Sequence, residues 1–135
     1  MYTFSKNERL CSQRLIDTLF EQGHKLSVFP FSVRYLICPT DDSITVPAQV
    51  LIVAPKRKLH HAVDRNHAKR LMRELYRLNK PDLYQTLAHR HLLISINYIH
   101  NEVLPYHTLE KKYAKLQQKL FTELQSLHES TQQLD

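Results

Sequence analysis

An α+β sandwich, with helices packed against one sheet, is the fold class this sequence predicts. Three observations predict it: apolar residues at helical spacing in three separate stretches, β-branched and aromatic runs between them, and the order helix, two or three strands, helix, strand, helix.

The first helix follows Ser12, a capping residue type. Leu15, Ile16, Leu19 and Phe20 then recur at helical spacing, and Gly23 stands where a helix commonly stops. Lys25 to Ser27 reads as a short strand and Phe31 to Cys38 as a longer one, from their β-branched and aromatic content. Pro39 to Pro47, with Asp41, Asp42 and Ser43, carries turn chemistry. Val50 to Ala54 is a nearly continuous apolar run, the pattern of a central strand buried on both faces. Pro55 ends that strand, Lys56 to His61 is a polar connection, and a helix spans about Ala62 to Leu78.

A loop is expected at Asn79 to Pro81, because proline disrupts a helix interior, and no single periodicity assigns Pro81 to His91. Leu92 to Ile99, with its isoleucines and Tyr98, is the last strand. In the closing helix Leu109, Tyr113, Leu116, Leu120, Leu124 and Leu127 step by three or four residues. That stripe is short for a coiled coil and suits a helix facing a core. Residues 1–129 are expected to form one domain and Ser130 to Asp135 a frayed tail.

A chain of 135 residues is long enough for one ordinary core and too short for two. The longest apolar runs fall far below a membrane span, and the polar segment Met1 to Leu10 lacks the apolar core of a secretory signal. A cytoplasmic protein without a membrane partner is therefore expected. Cys11 and Cys38 form no disulfide framework and no zinc or redox spacing. With Gly23 the only glycine, neither a Gly-rich nucleotide loop nor a nucleophile elbow can be present.

The charge is concentrated. Of 19 Lys and Arg, nine fall between Lys56 and Lys80 against only Asp64 and Glu74, a local net of +7. The remainder carries ten basic and eleven acidic residues, a net of −1, so one segment holds the whole excess. On a helix, Arg65, Lys69, Arg73 and Arg77 form a ladder at four-residue spacing, with Asn66 and Arg70 beside it, while Ala68, Leu71, Leu75 and Leu78 share another face. Like charges at that spacing cost about 0.2 to 0.5 kcal/mol per pair. A polyanion compensates, and guanidinium groups hold phosphate oxygens in bidentate fashion. Lys56, Arg57 and Lys58 extend the patch. A nucleic acid is the expected ligand, with DNA and RNA undistinguished by charge alone.

Val53-Ala54-Pro55-Lys56-Arg57-Lys58, followed by Ala62-Val63-Asp64-Arg65-Asn66-His67-Ala68-Lys69-Arg70-Leu71-Met72-Arg73-Glu74-Leu75-Tyr76-Arg77, closely resembles the signature of the bacterial ribonuclease P protein family. That signature joins a strand ending in basic residues to Ala-Val, an Arg-Asn-Arg core, and following Lys-Arg and Arg-Glu pairs. The Pro-Lys-Arg-Lys and Asp-Arg-Asn forms look most like the branch found in Bacteroidetes. Arg9-Leu10, Gly23 and the element order also fit, so the resemblance spans most of the chain. Two positions depart from the pattern: His67 replaces the second arginine of the core and Ala68 the usual aliphatic residue. Imidazole is mostly neutral at pH 7 and holds phosphate less firmly.

The resemblance implies a two-layer α-β-β-β-α-β-α sandwich, with a mixed four-stranded sheet and a left-handed crossover. It implies two partners: the catalytic RNA subunit of ribonuclease P and precursor tRNA, whose 5′ leader the RNA removes with Mg²⁺. The protein then carries no catalytic residue, metal or cofactor of its own and needs no obligate protein partner. RNA contacts are expected from Lys56, Arg57, Lys58, His61, Arg65, Asn66, His67, Lys69, Arg70, Arg73 and Arg77. Ile16, Phe20 and Tyr35 are the matching candidates for a groove that holds the single-stranded leader by stacking.

Other constellations do not reach that specificity. His60-His61 and His89-x-His91 lack third and fourth ligands at metal spacing. Asp41 and Asp42 read as solvated turn residues. A stand-alone RNA-binding or ribosomal-type protein explains the charge but not the joint motif, and an autonomous nuclease lacks any general base or metal cluster.

Overall fold

The computed structural model describes residues 6–38, 46–87 and 90–134, with side chains through residue 127. Asp41, Asp42, Ser43 and His89 lie outside the described residues. A 3₁₀ turn, Lys6–Glu8, leads into α1 (Gln13–Gln22), β1 (His24–Val28), β2 (Phe31–Cys38), β3 (Ala48–Val53), α2 (Ala62–Leu87), β4 (His91–Tyr98) and α3 (Tyr106–Leu134). The expected order of helices and strands is present.

The Ser12 hydroxyl accepts from the Leu15 N–H and starts α1. Gly23 ends it with extended backbone, φ −71°, and not with a left-handed turn. Glycine is required there by close approach, because a Cβ would lie 2.3 Å from the Leu19 carbonyl oxygen.

The sheet order is β1-β2-β4-β3, antiparallel except for the parallel pair β3 and β4. The central strands are thus β2 and β4, and β3 is an edge strand, contrary to the sequence expectation. Its apolar run has another cause: both of its faces are covered. Ala48 and Val50 enter the main core, Leu51 packs with Leu10, Leu19 and Leu93 on the opposite face, and Arg9 bridges to Val50 along the edge.

Side-chain alternation separates the two faces. Phe31, Val33 and Tyr35 of β2 join Leu92, Ile94, Ile96 and Tyr98 of β4 beneath α2 and α3. Leu36, Cys38 and Leu93 lie beneath α1. The helices therefore occupy both faces, and the expected two-layer arrangement gains a partial third layer from α1. Viewed from α2 with β3 and β4 running upward, Val50 faces the viewer. Its carbonyl accepts from the Leu10 N–H at 2.9 Å on the side away from β4. For an L-residue so oriented the carbonyl points right. Hence β4 lies left of β3, and the β3-α2-β4 crossover is left-handed, the rare sense for such units.

The expected loop at Asn79 to Pro81 is absent, since α2 continues through Pro81 to Leu87. A proline in a helix interior costs about 3 kcal/mol. Burial of Leu83 and Leu87 beyond it, worth about 1.5 to 3 kcal/mol each, offsets that cost. Lys80, within the same turn, is anchored by a buried ion pair to Glu8. The packing face of α2 also differs from expectation. Ala68, Met72, Leu75 and Tyr76 are buried, whereas Leu71 is half-buried and Leu78 is 43% exposed. In α3 the stripe Leu109, Tyr113, Leu116, Leu120 and Leu124 is buried and Leu127 packs at its margin. Helical backbone runs on through Leu134, past the expected start of a tail at Ser130. Among the described residues no helix is long and apolar enough to cross a membrane.

Candidate RNA interface

The β3-to-α2 connection is a built turn. The Pro55 carbonyl accepts from the N–H groups of Lys58 and Leu59, both at 3.1 Å, and Leu59 is buried. This leaves Lys56 and Arg57 exposed and Lys58 half-buried. The His61 carbonyl then accepts from the Asp64 and Arg65 N–H groups and opens α2, with the His61 side chain exposed.

Along α2, Asn66, His67, Arg70 and Arg73 are exposed, and Lys69 is half-buried. They share the outer side of a helix whose opposite side is fixed by Ala68, Met72 and Leu75. The predicted ladder therefore exists as a face, but its ends are chemically different from its middle. At the start, Arg65 Nη1 donates to the carbonyls of Leu59 at 3.0 Å and His60 at 2.9 Å, clamping the basic turn to the helix. At the end, Arg77 makes a paired contact with Glu74, its Nη2 2.5 Å from Oε1. The ladder thus has acidic relief at its C-terminal end, one turn after Glu74. Lys69, Arg70 and Arg73, together with the turn, present the open charge.

Arg73 also borders a shallow depression with Arg9, floored by Val50, Leu51 and Ile52. Arg9 was legible only as part of a motif in the sequence. Its place on this surface comes from the edge pairing of residues 9 and 50.

The three leader-groove candidates are not brought together. Ile16 of α1 is half-buried against the cluster of Leu10, Leu19 and Leu93, and Phe20, on the same helix, is 39% exposed. Tyr35 lies on the other face of the sheet, 2% exposed, its hydroxyl donating to Glu123 Oε2 of α3 at 2.7 Å. Burial first, and then the Glu123 carboxylate, raise its pKa. No base can stack on it in this arrangement, so the assignment of Tyr35 to the groove is corrected.

The β2 residue that reaches the Phe20 ring is Arg34. Its guanidinium carbon lies 5.3 Å from the Phe20 ring centroid, and Nη1 donates to the Phe20 carbonyl at 3.0 Å. Strict alternation in β2 carried that signal, because Phe31, Val33 and Tyr35 form the apolar set and Ser32 and Arg34 the polar one. An aromatic ring under a guanidinium, partly open to solvent, suits an unpaired base and its phosphate.

The family described as Ribonuclease P matches residues 4–121. A ribonuclease P protein component from Porphyromonas gingivalis is 32% identical over 116 residues, covering 84% of this chain and 83% of its own length. The structure of Staphylococcus aureus RNase P protein superposes with a TM-score of 0.64 at 16% identity, over 84% of this chain and 94% of that one. The RNase P protein from Thermotoga maritima gives 0.63 at 24% identity, over 81% and 94%. Those structures show the shared fold, and the sequence match carries the assignment: this chain belongs to the bacterial ribonuclease P protein family.

Proposed function

We propose that the chain is the protein subunit of a ribonucleoprotein endoribonuclease, binding the RNA subunit through the basic turn and the outer face of α2. Lys56, Arg57, Lys69, Arg70 and Arg73 neutralise phosphates, Asn66 adds a neutral donor and acceptor, and Arg65 holds the turn in register. The observation that carries this reading is the juxtaposition of an exposed cationic helix face with a structured cationic turn, in a chain whose remaining net charge is −1.

Precursor tRNA is the substrate of the assembly. Its single-stranded 5′ leader enters the cleft between α1 and the sheet, where Phe20 and Arg34 offer a stacking and phosphate-binding pair. Bond cleavage belongs to the RNA subunit with Mg²⁺, and the protein's residues bind and orient.

Reconstitution tests the proposal. At physiological Mg²⁺ the purified chain alone should leave precursor tRNA intact, and addition of the RNA subunit should restore accurate removal of the leader. Cleavage by the protein alone, or no gain over RNA alone, would overturn it.

A further inference from the structure

The leader cleft proposed above opens toward β1, an edge strand of the sheet among the described residues, and the charges continue past it. Lys25 of β1 stands directly opposite Arg34 in the antiparallel register and is exposed on the same face. Like charges placed opposite one another across two strands are unfavourable without a shared anion. Beyond the edge, on the other face, α3 presents Lys111, Lys115 and Lys119 at four-residue spacing, all exposed. Lys115 and Lys119 border an open groove whose inner wall is Leu26 of β1 and whose rim carries Gln118 and Thr122. Phe20, Arg34, Lys25 and the α3 lysines thus follow one another around a single sheet edge, with β1 only one strand spacing, about 4.8 Å, outboard of β2.

The acids along this path are few and partly occupied. Glu123 lines the groove but accepts the Tyr35 hydroxyl, and Glu21 is exposed near the end of α1.

We propose that this track guides the phosphodiester backbone of the distal leader, the nucleotides upstream of those held at Phe20 and Arg34. The proposal rests on the leader reading of the preceding subsection. It assigns the track to substrate, and not to the RNA subunit, on topology. The α2 face borders the β3 edge, where Arg73 and Val50 share a depression. Three strand spacings, roughly 14 Å, separate that edge from β1. RNA seated along α2 leaves the β1 edge free for a second strand.

The test uses the reconstituted holoenzyme with mature tRNA and with precursors carrying leaders of about five and about fifteen nucleotides, lengths near the lower and upper ends of known single-strand site sizes. The variant is Lys25→Gln combined with Lys115→Gln and Lys119→Gln, all exposed positions, with thermal melting as the folding control. The wild type should bind the long-leader precursor more tightly than the short one. The variant should lose that gain, on the order of tenfold, and its log–log salt slope for the long leader should flatten by about two, from roughly 0.7 per single-strand phosphate contact. Short-leader affinity should stay unchanged.

A long-leader gain that survives in the variant, or that is missing in the wild type, overturns the track while leaving the cleft intact. Equal loss for all three RNAs overturns it in favour of RNA-subunit or tRNA-body contact. If wild type does not distinguish short-leader precursor from mature tRNA, the cleft reading fails and the track with it.

Discussion

Lys80 and Glu8, 72 residues apart in sequence, form a buried ion pair in which Nζ lies 2.8 Å from one carboxylate oxygen and 3.0 Å from the other. The Tyr84 hydroxyl donates to the same carboxylate at 2.7 Å. Both charged side chains are less than one-tenth exposed. Removing one member leaves an uncompensated buried charge, so Lys80→Met should destabilise the protein by about 3 to 5 kcal/mol. Glu8→Met combined with Lys80→Met should recover most of that loss, since two apolar groups need no partner. Urea denaturation of the single and double variants measures it, and a double variant as unstable as the single would show that the pair itself is not the source.

Arg65 and Arg73 should separate in their effects although both belong to the same cationic helix. Arg65→Ala removes two charge-assisted bonds to the Leu59 and His60 carbonyls and should cost about 1 to 3 kcal/mol of stability. Lys69→Ala with Arg73→Ala should leave stability within about 0.5 kcal/mol and flatten the salt slope of RNA-subunit binding by about 1.4 to 1.8. Equal slopes for wild type and the double variant would place the interface elsewhere.

Phe20 is the side chain to change for leader binding, and Tyr35 is its control. Phe20→Ala in the holoenzyme should weaken precursor tRNA by about 1 to 3 kcal/mol relative to mature tRNA. Tyr35→Phe should remove only the bond to Glu123, lowering stability by about 1.5 kcal/mol with the precursor-to-mature ratio unchanged. A ratio that moved with Tyr35→Phe and not with Phe20→Ala would reverse the assignment of the cleft.

Alkaline conditions should destabilise the fold through its buried tyrosines. Burial, reinforced by Glu123 at Tyr35 and by Glu8 at Tyr84, raises both phenols above their ordinary value. The folded chain therefore keeps protons that the unfolded chain releases above about pH 10. Stability that is complete below that value falls as pH rises through it. The urea midpoint should drop between about pH 9 and about pH 11, and less so in Tyr35→Phe. A constant midpoint in wild type would contradict this.

Much of the site was readable from spacing, for definite physical reasons. Residues four apart on a helix share a side, so the cluster of Lys69, Arg73 and their neighbours followed from order alone. The core-facing side was harder. Met72 and Tyr76 displace Leu78 because α2 is docked at both ends, by Leu83 and Leu87 past Pro81 as well as by Ala68. Local propensity ended the helix at the proline, and only long-range burial extends it. Tyr35 was misplaced by residue type, since its aromatic character outweighed the period-two pattern that groups it with Phe31 and Val33. The Glu8 and Lys80 pair had no local signal at all, because no periodicity connects positions on different elements. Arg34 over Phe20 is of the same kind.

Strand β4 is made last and sits between two strands made earlier. During synthesis β2 and β3 emerge in succession, yet they never pair with each other, and each waits with an open edge for residues 91–98. At roughly 5 to 20 residues per second, that wait covers the whole of α2. Insertion of one strand then closes both ladders at once, and Leu92, Leu93, Ile94 and Ile96 supply the middle of both cores in the same step. Before that step the nascent chain has only the β1-β2 hairpin on which to rest, and a lone hairpin is marginally stable at best, so a ribosome stalled before β4 holds a protein without the middle of its sheet.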